Sequence, residues 1–169
     1  MHGEAWKKRI QKLSRKFIKV IFQSFFIPDF VFLNCDLQLY LGSVLAIQIL
    51  EDDSILTACA DKLIRLFNKD GELQKTFEGH TDVVQTVTLL LNGEEFLSGG
   101  NDMIIRKWNL ESGECTGTFS GHEAFIYSIS VLPRNKGFIS SGEDRSLRVW
   151  VWDEDEPSEA CFRIVQGFK

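Results

Sequence analysis

Residues 138–150 have the sequence FISSGEDRSLRVW, and this stretch decides the fold because it occurs twice more in altered form. Residues 96–108 have the sequence FLSGGNDMIIRKW, and residues 55–67 have the sequence ILTACADKLIRLF. In each copy a hydroxyl residue stands four positions before an aspartate, and an aromatic residue follows that aspartate by six. Copies spaced by 41 and 42 residues indicate a protein built from internal repeats.

A Gly-His pair precedes two of the three copies. Gly79-His80 recurs as Gly121-His122, and each histidine lies 22 residues before its aspartate. Each unit begins with apolar residues at a step of three and then two, as in Val84, Val87 and Leu89, which is typical of a strand with a β-bulge. Short β-rich runs separated by Gly-rich turns follow, without helical periodicity. The pattern predicts four short antiparallel strands per unit and an all-β fold.

The phased His, Ser, Asp and Trp residues resemble the WD40 repeat family, although Trp108-Asn109 and Trp150-Val151 replace the usual Trp-Asp. The resemblance implies a WD40 β-propeller, a ring of about seven blades in most members. We expect three four-stranded blades of an incomplete ring, at about residues 43–79, 80–121 and 122–165, followed by a tail at 166–169. The resemblance also implies two hydrogen-bonded structural tetrads, formed by His80, Ser98, Asp102 and Trp108 and by His122, Ser140, Asp144 and Trp150.

Each tetrad combines the residue types of a hydrolase triad, so a catalytic interpretation must be weighed. A nucleophile is expected once in a chain, whereas a set repeated in successive blades is typical of scaffolding. We therefore interpret the tetrads as buried polar braces and expect no enzyme activity and no cofactor. The first unit keeps a partial tetrad, Thr57 and Asp61, with Phe67 in place of Trp and Leu39 or a neighbour in place of His. We expect it to be the weakest blade.

Three blades cannot close a ring. The chain is therefore expected to be a fragment or truncated isoform of a longer protein, or half of an assembly that another chain completes. Residues 1–42 form a non-propeller leader. Residues 1–34 hold seven of the 19 basic and two of the 24 acidic residues, although the net charge of the chain is −5.

The leader admits three interpretations. Residues 7–22 could form a basic amphipathic helix on a membrane surface. They could instead be a solvated face beside an apolar strip that packs elsewhere, and the leader could also be a gene-model or splice-variant artefact. The apolar run from Val20 to Leu33 is interrupted and shorter than the ~20 residues that a spanning helix needs. Membrane association and nucleic-acid binding are not expected.

The four cysteines lack metal-ligand spacing, so no metal site is predicted. Their low density favours buried, reduced thiols and therefore the cytoplasm and nucleus. The cysteines stand at Cys35, Cys59, Cys115 and Cys161.

Several segments further resemble the middle-to-late blades of the phospholipase A-2-activating protein family, including Tyr127-Ser-Ile-Ser-Val and Glu143-Asp-Arg-Ser-Leu-Arg-Val-Trp. The resemblance covers about residues 43–164. It implies a ubiquitin-binding propeller that acts in ubiquitin recycling and ubiquitin-dependent protein catabolism. In that family other domains bind an AAA segregase, and this chain has no match to those domains.

Propeller geometry places the start of each first strand and the turn before each Asp at the same rim. The ubiquitin-binding candidates at this rim are Gln85, Asn101, Phe125, Tyr127 and Glu143. Aromatic residues suit a shallow apolar patch such as that of ubiquitin, although Tyr127 could instead pack between blades. Three arginines repeat in every blade, Arg65, Arg106 and Arg148, and we expect them to be solvated or to pair between blades rather than to form a binding stripe. The alternative functions are a generic WD40 scaffold, such as a ubiquitin-ligase substrate receptor, and a membrane-surface protein.

Overall fold

A computed structural model describes residues 42–151 and the backbone of residues 161–166. Predictions about the leader up to residue 41, Cys35, Leu39, the side chain of Cys161 and the tail lie outside the described residues. The described chain forms twelve strands: β1 (Val44–Ile49), β2 (Ile55–Cys59), β3 (Ile64–Phe67), β4 (Leu73–Phe77), β5 (Val84–Leu89), β6 (Glu95–Gly100), β7 (Ile104–Asn109), β8 (Cys115–Ser120), β9 (Ile126–Val131), β10 (Gly137–Gly142), β11 (Ser146–Val151) and β12 (Cys161–Gln166).

The strands form three antiparallel four-stranded sheets, each built from consecutive strands. We call them blade 1 (β1–β4), blade 2 (β5–β8) and blade 3 (β9–β12). This arrangement confirms the predicted all-β fold and the three four-stranded blades of an incomplete propeller. Tight turns at Gly-rich and Asp-rich positions allow each strand to pair with its neighbour in sequence.

A β-bulge interrupts the first strand of every blade, as the step of three and then two predicts. In β5, Val84 pairs with Gly100 and Thr86 pairs with Gly99, so Gln85 is the extra residue. The same register leaves Leu45 extra in β1 and Tyr127 extra in β9. A bulge turns a side chain away from the alternation of the strand, and it therefore sets where these three side chains point.

Two apolar cores join the blades face to face. Blade 1 contributes Leu56, Ile64 and Phe77 to the first core, and blade 2 contributes Phe96 and Trp108. The second core uses mostly corresponding positions one repeat later and joins blade 2 to blade 3. Its buried members are Leu90, Leu97, Ile105, Phe119, Ile126, Ile129, Phe138 and Trp150.

An aromatic wedge repeats in both cores. The Phe77 ring of blade 1 meets Phe96 edge-on with ring centroids 4.9 Å apart, while Phe96 stacks on Trp108. Phe119 meets Phe138 at 5.0 Å, and Phe138 stacks on Trp150. Edge-to-face contacts of this kind add to the burial of apolar area. The last strand of one blade thus fixes the position of the next blade.

The described residues contain a single 3-10 turn, at Pro133–Asn135, and no helix of theirs has the length and apolar character needed to cross a membrane. One cysteine prediction needs correction. Cys59 is a buried free thiol, but Cys115 is a free thiol exposed to solvent, because β8 is an outer strand and Cys115 lies at its start.

Candidate functional site

The first tetrad lies in blade 2 and links the Gly-His segment to β6, to β7 and to the turn between these two strands. His80 Nδ1 lies 2.8 Å from Asp102 Oδ2, and His80 Nε2 lies 2.6 Å from Ser98 Oγ. The Trp108 indole N–H donates to the same Ser98 oxygen at 2.8 Å. The structure therefore brings together all four residues of this predicted set.

The second tetrad repeats this geometry in blade 3. His122 Nδ1 lies 2.7 Å from Asp144 Oδ2, His122 Nε2 lies 2.7 Å from Ser140 Oγ, and Trp150 donates to Ser140 Oγ at 2.8 Å. Blade 3 adds a fifth member, because the Ser146 hydroxyl donates to Asp144 Oδ1 at 2.7 Å. The histidine pattern alone does not reveal Ser146.

Both tetrad aspartates are held as carboxylates. Burial alone would raise the pKa of Asp102, but hydrogen bonds from His80 and from the Thr81 and Ile104 amides hold the pKa below its usual value. Burial would likewise raise the pKa of Asp144, but hydrogen bonds from Ser146 and His122 outweigh this effect and hold the pKa well below its usual range. Each carboxylate is therefore paired and hydrogen-bonded, as a buried charge must be.

The imidazole of blade 3 is neutral at physiological pH. Burial lowers the pKa of His122, and the nearby Arg148 charge lowers it further, against the opposing effect of Asp144. In the neutral ring we assign the proton to Nδ1, which donates to Asp144, while Nε2 accepts from the Ser140 hydroxyl. Both nitrogens of this ring are then satisfied, and Ser146 Oγ lies 3.5 Å from Nδ1 as a second neighbour.

Burial of the serines opposes the hydrolase interpretation. Ser98 is completely buried and Ser140 is 1% exposed, so no substrate carbonyl can reach either oxygen. Each oxygen also accepts a tryptophan N–H, which occupies the direction that a nucleophile would need. The geometry suits cross-bracing of strands, which is the role that the repeated pattern indicates.

The Gly-His segments connect one blade to the next and require glycine. Gly79 and Gly121 both have φ of 154°, a region that side chains disfavour. A Cβ at Gly79 would lie 3.0 Å from Trp108 Cη2, and a Cβ at Gly121 would lie 3.1 Å from Arg148 Nη1. Glycine thus lets the connection pass closely over the tryptophan and arginine and brings the following histidine to its serine.

Blade 1 replaces the histidine bond with an arginine. Arg65 donates to both oxygens of Asp61, at 3.1 and 2.8 Å, and the Thr57 hydroxyl donates to the Arg65 carbonyl at 3.4 Å. This bidentate pair is buried. Arg65 was expected to be solvated or to pair between blades, and this expectation is wrong, because the turn after Asp61 folds the chain back and puts the two side chains side by side.

Arg148 of blade 3 is also buried, so the same expectation is wrong there. Its Nε donates to Ser146 Oγ at 3.2 Å, and its Nη2 lies 3.7 Å from Asp144 Oδ2. Both partners belong to the same blade as the arginine. Arg106 of blade 2 differs, because it is partly exposed and its buried Nε has no hydrogen-bond partner.

The candidate rim is built where each first strand meets the turn before the Asp. The amide of Asn101 donates to the Val83 carbonyl at 2.8 Å, and the amide of Glu143 donates to the Phe125 carbonyl at the same distance. In blade 2 the side chains of Gln85 and Asn101 also join, at 3.0 Å. Gln85 and Asn101 therefore lie together in blade 2, as Phe125 and Glu143 do in blade 3.

Blade 3 presents the aromatic part of this rim. Phe125 is 37% exposed and Tyr127, the bulge residue, is 50% exposed. Glu143 is exposed beside them, whereas Gln85 and Asn101 are half-buried. The interpretation of Tyr127 as a side chain packed between blades does not fit this exposure.

Sequence reasoning missed Leu45. It is the bulge residue of blade 1, occupies the position of Gln85 and Tyr127, and is 43% exposed. Alignment of the three first strands by their bulges would have found it. The correspondence of Leu45 with Gln85 and Tyr127 is not apparent from the tetrads, because blade 1 lacks the tetrad histidine among its described residues.

Metal binding has no structural basis in the part of the chain that the structure describes. Within residues 42–151, no group of three or more His, Cys, Asp or Glu side chains is arranged to hold an ion. The histidines and aspartates of the tetrads bond to each other and to serine.

Comparisons with known proteins agree with the fold. The family model "WD domain, G-beta repeat" matches residues 71–109 and 113–151, so these two segments are similar to WD40 repeats. The crystal structure of the WD40 beta propeller domain of Doa1 superposes with a TM-score of 0.66 at 33% identity, over 75% of this chain and 41% of that one.

Curated relatives match shorter segments. The Ubiquitin fusion degradation protein 3 homolog of Caenorhabditis elegans is 43% identical over 60 residues, which are 36% of this chain and 7% of that protein. The Ribosome biogenesis protein YTM1 of Eremothecium gossypii is 30% identical over 60 residues, 36% of this chain and 13% of that protein. The matched segments thus span a small part of either relative.

Proposed function

We propose that this chain is a non-catalytic interaction module whose blade 3 rim binds ubiquitin or ubiquitylated proteins. The process would be ubiquitin-dependent protein turnover in the cytoplasm and nucleus. Segregase binding is not assigned to these residues.

The observation that carries the proposal is the exposed pair Phe125 and Tyr127. Aromatic side chains at an interface supply large apolar area at low cost in conformational entropy. This pair lies on a rigid platform, because Ile126 between them is completely buried in the core shared by blades 2 and 3. The bulge directs Tyr127 out of the strand, and Glu143 adds an acidic border beside Phe125.

The relatives support the choice of partner. Among the matched proteins is one named for ubiquitin fusion degradation, and the structural neighbour is a WD40 propeller domain at 33% identity. WD40 repeats by themselves indicate only a binding platform. The apolar, aromatic character of the blade 3 rim suits the shallow apolar patch of ubiquitin.

The test is a titration of isotope-labelled ubiquitin with the 169-residue chain, followed by NMR. We expect shifts around the apolar patch of ubiquitin. The double variant Phe125→Ala/Tyr127→Ala should weaken binding at least tenfold. Leu91→Ala is the matched control, because Leu91 is 63% exposed in the turn between β5 and β6, away from the first-strand rim.

Two results contradict the proposal. The first is the absence of shifts at millimolar concentrations of a chain whose circular dichroism shows folded β-structure. The second is unchanged binding by the double variant. Equal weakening by Leu91→Ala would show that the shifts do not report the blade 3 rim.

A second candidate function is that of a generic WD40 scaffold that does not itself bind ubiquitin, such as a ubiquitin-ligase substrate receptor. The relative named as a ribosome biogenesis protein favours a scaffold of another kind. Affinity purification of the tagged chain distinguishes these functions. Recovery of ligase or ribosome-assembly subunits without ubiquitin would favour the scaffold.

A further inference from the structure

The arginine two positions before the aromatic residue is satisfied within the blade in blades 1 and 3. Arg65 makes a two-bond pair with Asp61, and Arg148 bonds Ser146 and lies near Asp144. Both arginines are 5% exposed. Neither one is available to a partner protein without loss of a buried contact.

Arg106 of blade 2 lacks both kinds of acceptor. Ile104 stands where blade 3 has Ser146, and an alkyl side chain accepts no hydrogen bond. The Asp102 carboxylate is already bonded by His80 and by the Thr81 and Ile104 amides. Among residues 42–151, no ion pair involves Arg106, and its buried Nε has no partner.

The two ends of the Arg106 guanidinium have different surroundings. A Cβ at Gly79 would lie 3.9 Å from Nε, so the Gly79-His80 connection covers that end of the group. The terminal nitrogens are not buried, and the residue as a whole is partly exposed. Arg106 is thus an arginine with a buried Nε and a partly exposed side chain that has no carboxylate partner among the described residues.

We propose that Arg106 binds a carboxylate of an acidic segment in a partner protein. The parallel donors of a guanidinium match the two oxygens of a carboxylate, and a side chain that is already partly buried has less conformational entropy to lose on binding. This site is on blade 2 and independent of the blade 3 rim. It would fix the orientation of a partner whose acidic side chain reaches the junction of blades 1 and 2.

The test is an NMR titration of the 169-residue chain with the capped peptide Gly-Glu-Glu-Gly at physiological salt. We expect a saturable shift of the Arg106 Nε–Hε resonance and of the backbone amides around it. Capped Gly-Gln-Gln-Gly should cause no such shift. The short peptide limits long-range attraction to the basic residues near the amino terminus.

Three variants sharpen the titration. Arg106→Ala should abolish the local amide shifts, and Arg106→Lys should weaken binding about fivefold because ammonium lacks the planar fork. Ile104→Ser keeps the charge but supplies the acceptor that Ser146 supplies in blade 3, and should also weaken binding. Lys107→Ala is the control, since Lys107 is on the opposite face of β7 and pairs with Glu95.

The proposal is overturned if the Arg106 resonance does not respond, or if Arg106→Ala leaves the local shifts unchanged in a folded chain. The last titration uses inorganic phosphate in place of the peptide. A shift with phosphate but none with the glutamate peptide would assign the site to phosphate and reject the carboxylate. If Arg106→Ala does not fold, Arg106→Lys and Ile104→Ser still decide the question.

Discussion

Blades 2 and 3 each contain a complete tetrad and a Phe ring stacked on its Trp, yet they differ in the groups that contact the tetrad aspartate. Asp102 bonds His80 and two backbone amides, whereas Asp144 also accepts from the Ser146 hydroxyl and lies near Arg148. Ser146 stands where blade 2 has Ile104, and its hydroxyl supplies both the additional donor to Asp144 and the acceptor of Arg148 Nε. A repeat can therefore keep the hydrogen bonds of its tetrad while the neighbouring arginine has no ion pair with the tetrad aspartate.

The largest difference between the blades is expected on removal of the aspartate. Asp144→Ala removes the acceptor of His122 and Ser146 and the carboxylate that lies near Arg148, and breaking a buried pair costs about 3–5 kcal/mol. Asp102→Ala should fall at the low end of that range, because no arginine depends on Asp102. Urea denaturation measures both values. Glu94→Ala, at an exposed turn, serves as the control and should cost less than about 0.5 kcal/mol. Equal losses at Asp102 and Asp144 would contradict the comparison.

An intermediate effect is expected when blade 3 is made to resemble blade 2. Ser146→Ala removes the acceptor of Arg148 Nε and one donor to Asp144, which should cost about 1–3 kcal/mol of unfolding free energy. The backbone should be undisturbed because alanine fits wherever serine does. The matched control is Ser128→Ala, at an exposed position of β9. A loss no greater than that of the control would mean that Ser146 is dispensable.

The sequence predicts the strands, the bulges and the contacts of the tetrads because each depends on spacing within one repeat. It does not predict the arginine pairs. The arginine follows the aspartate by four residues, which in an extended strand would place them far apart. In blades 1 and 3 a left-handed residue in the turn, Lys62 or Arg145, bends the chain, and the two side chains come together there. Such a turn is hard to foresee because the residues that adopt it are not glycine.

The exposure of the candidate rim was equally hard to foresee in blade 1. Tyr127 and Gln85 each belong to a blade with a complete tetrad, whereas Leu45 belongs to the blade with only a partial tetrad. Bulge register, which is set by the pairing of β1 with β2, reveals the equivalence. Packing therefore decides which residues of a repeat face outward, and spacing alone decides only which residues correspond.

The smallest expected effect is a pH dependence that blade 3 contributes through His122. Its pKa in the folded chain lies below the unfolded value of 6.5, because burial and Arg148 disfavour the imidazolium. The unfolded chain therefore takes up the proton first as the pH falls. The contribution of His122 to the free energy of unfolding is complete above pH 6.5 and is lost as the pH falls through the pKa of the folded state. The free energy of unfolding then changes by at most about 1.4 kcal/mol per pH unit. Urea midpoints between pH 7.5 and 5 measure the slope, and His122→Gln should reduce it, whatever its own stability. An unchanged slope in His122→Gln would assign the pH dependence to other groups.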